Sequence, residues 1–360
     1  MKQILSLILI LVLAAVPLAT VISAPPSGGI SSLADMEAYL RKNFPFGEHL
    51  QDVAAELLLQ SGQRERDGVF CTDDGLMANY WPQESTALRE KNLQAIITFT
   101  ENHNVPVGSV VVPTAVAVKQ QTLPDNVPLY NQKDAIADIN RAMEGKVTAA
   151  DVYSALYHSY NESEEYLYCR TDSHLTALGG YRVYAAVADR LRLSPVSLRE
   201  FSREYLVHGY YGPLTEAWDE NHVDGDILSV YRNIRSEVQY HLVVTNREGT
   251  TWASADLYPT DRVEEDPFSI YLGGECASFE LSNSGENQSG SLLVFGDSTV
   301  QTVLPFMTEH YGRITYRNLA LLERRDLRDI DLNDYDQVLF LYGLETFCGS
   351  DDIQKVDAVR

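Results

Sequence analysis

Ser291-Leu292-Leu293-Val294-Phe295-Gly296-Asp297-Ser298-Thr299 decides how the rest of this chain is read. An apolar run this short suits a strand covered on both faces, the kind found in the middle of a parallel sheet. It ends in Gly-Asp-Ser, and a helical pattern follows from Thr299 to Tyr311. A strand that feeds a helix through a tight turn is half of a βαβ unit. Similar apolar runs lie at Val110-Val111-Val112, after an amphipathic helix expected over 88–102, and at Gln337 to Tyr342. With a further strand near 313–318, the alternation predicts an α/β fold of three layers around a central, mainly parallel sheet.

Other segments are placed against that frame. Val69 to Tyr80 reads as a hairpin around Asp73-Asp74-Gly75, and 132–144, 148–159 and 176–191 read as helices. Residues 278–290 read as a polar loop. The stretch at about 205–275 is aromatic, glycine-punctuated and alternating, and is expected to be a β-rich insertion. At the start of the chain, Ile4 to Ile22 is almost wholly apolar and precedes Ser23-Ala24-Pro25-Pro26. Residues 1–24 are therefore expected to be a signal peptide or an N-terminal membrane anchor, 25–34 a linker, and 35–360 a single domain. Either reading of 1–24 puts the domain outside the cytoplasm.

Acidic residues outnumber basic ones 51 to 28, for a net charge of −23. Such a surface repels phosphate backbones, which argues against a nucleic-acid partner. Cys71, Cys169, Cys276 and Cys348 are far apart and form no C-x-x-C pair. They could make two disulfides in any of three pairings, or remain buried thiols. Outside the segment discussed next, the histidines have no metal-ligand spacing, so neither a metal nor a cofactor is expected.

Two segments can carry chemistry. Ser298 lies where a buried strand meets a helix N-terminus, and its own N–H is placed like the oxyanion donor of strand-turn-helix nucleophiles. An ordinary helix cap at Asp297 or Ser298 is the commoner use of such a tripeptide. In Thr171-Asp172-Ser173-His174, extended backbone would put Asp172 and His174 on one face. A serine nucleophile needs a base, and the base needs a carboxylate to hold it. A solvated turn would explain the same spacing.

Tyr168-Cys169-Arg170-Thr171-Asp172-Ser173-His174-Leu175-Thr176 resembles the T-D-H-H-W-T signature of bacterial DHHW proteins, with Ser173 and Leu175 at the positions of its first His and its Trp. The resemblance extends through Val105-Pro106-Val107, Tyr210-Tyr211-Gly212-Pro213-Leu214, the Gly296-Asp297-Ser298 turn and Tyr335-Asp336-Gln337-Val338-Leu339. That family is similar to SGNH-hydrolase-like proteins that O-acetylate alginate. The resemblance implies an SGNH-hydrolase-like fold in which Ser298 is the nucleophile, His174 the base and Asp172 its orienting acid. The usual further oxyanion donors have no secure counterpart; Asn318 and Gly343 are candidates beside Ser298 itself.

The activity implied is a serine-dependent carbohydrate O-acyltransferase or esterase acting on an envelope or secreted polysaccharide. Its partners would be that polysaccharide or an acylated sugar, together with a membrane acyl-exporting protein. The alternative is a non-catalytic SGNH-like protein that binds glycan or serves in assembly.

Overall fold

The computed structural model describes residues 57–359, apart from Gln60, 73–74, 80–83, 121–122, 124–128, Glu164, 219–222, 236–237, Glu265 and 286–289, together with Tyr39 and Asn43. The expected export segment 1–24 and linker 25–34 lie outside the described residues. Two compact units are present, 1–64 and 65–360, and the fold below is that of the second. Among the described residues, no helix is long and apolar enough to cross a membrane.

Strands β1 (Glu65–Arg66), β2 (Val69–Cys71) and β3 (Met77–Asn79) form a small antiparallel sheet, and β2 and β3 are the expected hairpin. Helix α1 (Thr86–Asn102), capped by the Ser85 hydroxyl, leads to β4 (Val107–Val112), which is buried along its whole length. Next come α2 (Ala115–Val118), α3 (Gln132–Ala142), β5 (Thr148–Ala150), α4 (Val152–Ser163) and α5 (Ala177–Arg190). Then follow β6 (Phe201–Tyr210), α6 (Thr215–Trp218), β7 (Asp226–Asn233), β8 (Tyr240–Thr245), β9 (Thr251–Ser254) and β10 (Ser278–Asn283). The chain continues through β11 (Gly290–Gly296), α7 (Val300–Met307), β12 (Tyr311–Arg317), β13 (Gln337–Gly343) and α8 (Leu344–Gly349).

The main sheet has the order β5-β4-β13-β11-β12-β10-β8-β9. Its first five strands run parallel; β10, β8 and β9 extend it antiparallel. Strand β11 sits inside, with Leu293 paired to Thr315 of β12 and Val338 of β13. Its side chains alternate between two cores. Leu292 and Val294 join Val183, Tyr184 and Val187 of α5 and Val303 and Leu304 of α7. Leu293 and Phe295 join Ile96 and Phe99 of α1, Ile136 of α3 and Phe347 of α8. Each such fully buried side chain contributes about 1.5–3 kcal/mol, so both faces must be covered, and three layers result.

Two elements differ from the sequence reading. Thr148–Ala150 is not the start of a helix but an edge strand on β4, because the parallel ladder satisfies its backbone. The helix begins after Asp151, whose carboxylate accepts the Ser154 N–H at 3.2 Å. Ser278–Asn283 is not a polar loop: Phe279 and Leu281 alternate inward from a strand held between β12 and β8. Polar residues on its other face hid the period of two. The β-rich region divides, with β6 and β7 forming a separate ribbon while β8 and β9 join the main sheet. All four cysteines are buried, and no disulfide joins them.

Helices α5 and α7, which follow the two chemical motifs, meet backbone to backbone. A Cβ on Gly180 would lie 2.0 Å from the Thr302 carbonyl oxygen. Only glycine allows that approach. Gly180→Val is expected to cost roughly 1–3 kcal/mol or more, read as a lower Tm. Gly349→Ala, with nothing within 4 Å of its added Cβ, is expected to leave Tm nearly unchanged.

Candidate active site

The Asp172–His174 segment is a turn, not the extended strand its spacing suggested. Tyr168 and Leu175 form an isolated antiparallel bridge, and the Cys169 N–H donates to the His174 carbonyl at 3.0 Å. Inside this loop, Asp172 Oδ1 accepts the His174 backbone N–H at 3.0 Å and contacts its ring Nδ1 at 2.5 Å. An Asx turn, and not strand alternation, thus joins carboxylate to imidazole. The contact assigns the ring proton to Nδ1, which leaves Nε2 for a substrate or nucleophile. Asp172 is buried, whereas the His174 side chain is 25% exposed. The Phe268 ring covers the imidazole at a centroid distance of 4.4 Å.

Residues from the region read as an insertion hold this turn. The Tyr210 hydroxyl donates to Asp172 Oδ2 at 2.5 Å. Asp226 accepts the Arg170 N–H at 2.7 Å, the Thr171 N–H at 2.9 Å and the Thr171 hydroxyl at 2.5 Å. Gly212 and Leu214 donate their N–H groups to the Thr171 hydroxyl and carbonyl. A Cβ on Gly212 would lie 2.6 Å from the Thr171 oxygen and 2.7 Å from Asp172 Cβ. The Tyr210–Leu214 motif therefore has a physical job that its sequence alone did not reveal. Asp226, Asp266 and Phe268 carry no local signal beyond their residue types.

The turn is fixed to the carboxyl end of the sheet. Tyr168 donates its hydroxyl to the carbonyl of Pro113, just past β4, at 2.7 Å. Gly296-Asp297-Ser298 leaves the same end of β11, and only β13 separates β11 from β4. Two strand spacings are about 9–10 Å, a gap that side chains from both motifs can enter. This end of β4, β13 and β11 lies at the reversal of strand order, where doubly wound sheets bind ligands.

Around the second motif, the Tyr316 hydroxyl lies 3.2 Å from both the Gly296 and the Asp297 carbonyl oxygens. Asp297 accepts the Thr299 N–H at 3.0 Å and the Gly343 N–H at 2.9 Å, tying β11 to β13. The helix cap position belongs to Thr299, and the Ser298 hydroxyl makes no hydrogen bond among the described residues. Capping therefore does not account for Ser298. No hydrogen bond joins Ser298 to His174 in this arrangement. Of the other expected oxyanion donors, Gly343 has its N–H committed to Asp297. Asn318, buried beyond β12, uses Oδ1 to accept the Ala320 N–H at 3.0 Å and is a turn residue.

Burial opposes the charged form of Asp172, but the His174 ring, the Tyr210 hydroxyl and the His174 N–H outweigh it and hold the pKa below the usual value. Burial likewise opposes protonated His174. The hydrogen bond and charge of Asp172, helped by the charges of Asp297 and Asp266, reverse this and raise the pKa above 6.5. Asp226 is pushed up to about 6 by burial, against the pull of the Arg170 and Thr171 amides and the Lys119 charge.

The signs follow from linkage. The raised His174 pKa stabilises the fold fully below the unfolded value of 6.5, a contribution lost as pH rises through the folded value. The depressed Asp172 pKa stabilises above 3.8 and is lost as pH falls through its folded value. The pair contributes most between those limits. Histidine NMR titration is expected to give a His174 midpoint above 6.5, and Asp172→Asn is expected to lower that midpoint.

A largely parallel sheet between two helical layers is an SGNH-like α/β fold. The DHHW protein family matches residues 90–316, more than half of the chain, and the chain belongs to that family. Its fold is similar to a DHHW family protein from Eubacterium siraeum, with a TM-score of 0.67, 21% identity, and 82% of this chain and 97% of that one covered. It is also similar to Bacillus cereus PatB1, with a TM-score of 0.65, 16% identity and coverage of 79% and 98%. The O-acetyltransferase domain of Pseudomonas putida AlgJ gives a TM-score of 0.50, 13% identity and coverage of 79% and 93%. No curated protein matches the chain. Where the family signature has Trp, Leu175 is 3% exposed and packs in the core.

Proposed function

We propose that this chain is an exported, serine-dependent carbohydrate O-acyltransferase or esterase acting on an envelope or secreted polysaccharide. The observation that carries the reading is the buried Asp172 bound to Nδ1 of the partly exposed His174, at the sheet edge where Ser298 keeps its hydroxyl uncommitted. The fold it shares with the O-acetyltransferase domain of AlgJ supports the acyl chemistry.

In this mechanism Ser298 Oγ attacks the ester carbonyl carbon while His174 Nε2 takes its proton, and Asp172 stabilises the imidazolium. The Ser298 N–H receives the oxyanion, with Asn318 Nδ2 as a second candidate donor. Collapse breaks the bond to the leaving alcohol, which regains the proton from His174. The acyl-Ser298 ester is then attacked by water or a sugar hydroxyl, deprotonated in turn by His174, and the bond from the acyl carbon to Oγ breaks as His174 returns that proton to Ser298. A membrane acyl-exporting protein would supply the donor outside the cytoplasm.

One observation favours a second reading, a non-catalytic glycan-binding or assembly protein: the Gly343 N–H is already held by Asp297, and Ser298 is not bonded to His174. Fluorophosphonate labelling separates the two. Wild-type protein is expected to label at Ser298, Ser298→Ala not at all, and His174→Ala roughly 10³-fold more slowly or less. Absence of labelling in folded wild-type protein would overturn the acyl-enzyme reading.

A further inference from the structure

We infer that the β6–β7 ribbon is a two-point clamp on the Asp172–His174 turn, with Tyr210 and Asp226 as positioning residues; as a catalytic device this rests on the acyl-enzyme reading. Tyr210 and Asp226 are cross-strand partners at one end of the ribbon. From these facing positions, one side chain takes the far oxygen of Asp172 and the other takes three donors from Arg170 and Thr171. Thr171, wholly buried, is thereby immobilised on the ribbon side, while the next residue presents its carboxylate to the imidazole.

The Asx turn alone leaves Asp172 free to swing about its terminal torsion and exchange its oxygens. Tyr210 removes that freedom, because Oδ2 is held while Oδ1 serves His174. The choice of partner is specific. The buried hydroxyls of Tyr168, Tyr258 and Tyr271 all donate to backbone carbonyls, whereas Tyr210 spends its own on the acid that orients the base. Asp226 is comparably placed: its carboxylate accepts hydrogen bonds from the two residues that precede Asp172.

The charged and ring groups around His174 are Asp172 on its own turn, Asp297 beyond β11, Asp266 and Phe268. Tyr210 also reaches one of these, since its ring lies 6.3 Å from that of Phe268; Tyr210→Phe keeps the ring and removes only the hydroxyl bound to Asp172. In Tyr210→Phe, an acid that stays in place faces His174 with its charge undivided and raises the histidine midpoint; an acid that swings away lowers it. Loss of this hydrogen bond to a charged group is expected to displace that midpoint by about half a unit or more.

The test is histidine NMR titration of the full chain, run beside fluorophosphonate labelling. Tyr210→Phe is expected to lower the His174 midpoint, as the freed acid swings away, and to slow labelling about tenfold or more. Asp226→Asn, which keeps the shape but loses an acceptor, is expected to do the same with a lower Tm. Phe347→Leu, buried on the opposite face of the sheet, controls for lost stability and is expected to leave the midpoint in place. An unmoved or raised midpoint in both ribbon variants overturns the clamp. The titration needs no turnover, so a lowered midpoint in a protein that never labels would retain the clamp and reject only the enzyme.

Discussion

Two carboxylates, Asp172 and Asp226, are buried within a few ångströms of one short turn, and the site is organised by the need to satisfy them. An ionised acid removed from water is strongly unfavourable unless its oxygens meet donors. Asp172 is met by His174 twice and by Tyr210, and Asp226 by two amides and the Thr171 hydroxyl. Those donors come from segments distant in sequence. Satisfying the charges therefore fixes the turn, the ribbon and the imidazole in one arrangement, and the wrong arrangement would leave a buried charge unpaired.

The sheet supplies the other half of the geometry. Parallel pairing of β4, β13 and β11 brings Pro113, Gly343 and Ser298 to a common edge. Hydroxyls of Tyr168 and Tyr316 then anchor each motif to that edge. The glycine at position 180 lets α5 lie against α7, so the helices that leave the two motifs share one interface. A scaffold of this kind holds the side chains of both motifs in place, because the segments that carry them are anchored to packed elements.

The balance of charges at the site has a chemical meaning. Asp172 stays ionised while His174 is made more basic, a combination that suits an acid that orients and a base that exchanges protons. Asp297 shows why a short motif is ambiguous. Its carboxylate is a strut between strands, yet its charge also reaches the imidazole. Structure and electrostatics use the same residue.

The sequence by itself determined the three-layer class and singled out Asp172, His174 and Ser298 as candidates, because apolar periodicity and short-range turn chemistry are local properties. It also held Tyr210-Tyr211-Gly212-Pro213-Leu214 in plain view without a role. Tertiary structure alone decided that Thr148–Ala150 and Ser278–Asn283 are strands, since their neighbours in the sheet lie far away in the chain. It alone decided that Asp172 meets His174 through an Asx turn, that Tyr210 and Asp226 support them, and that Gly343 is spoken for by Asp297. The physical reason is the same throughout: a buried polar group is satisfied by whatever the fold brings to it, and sequence spacing does not record that encounter.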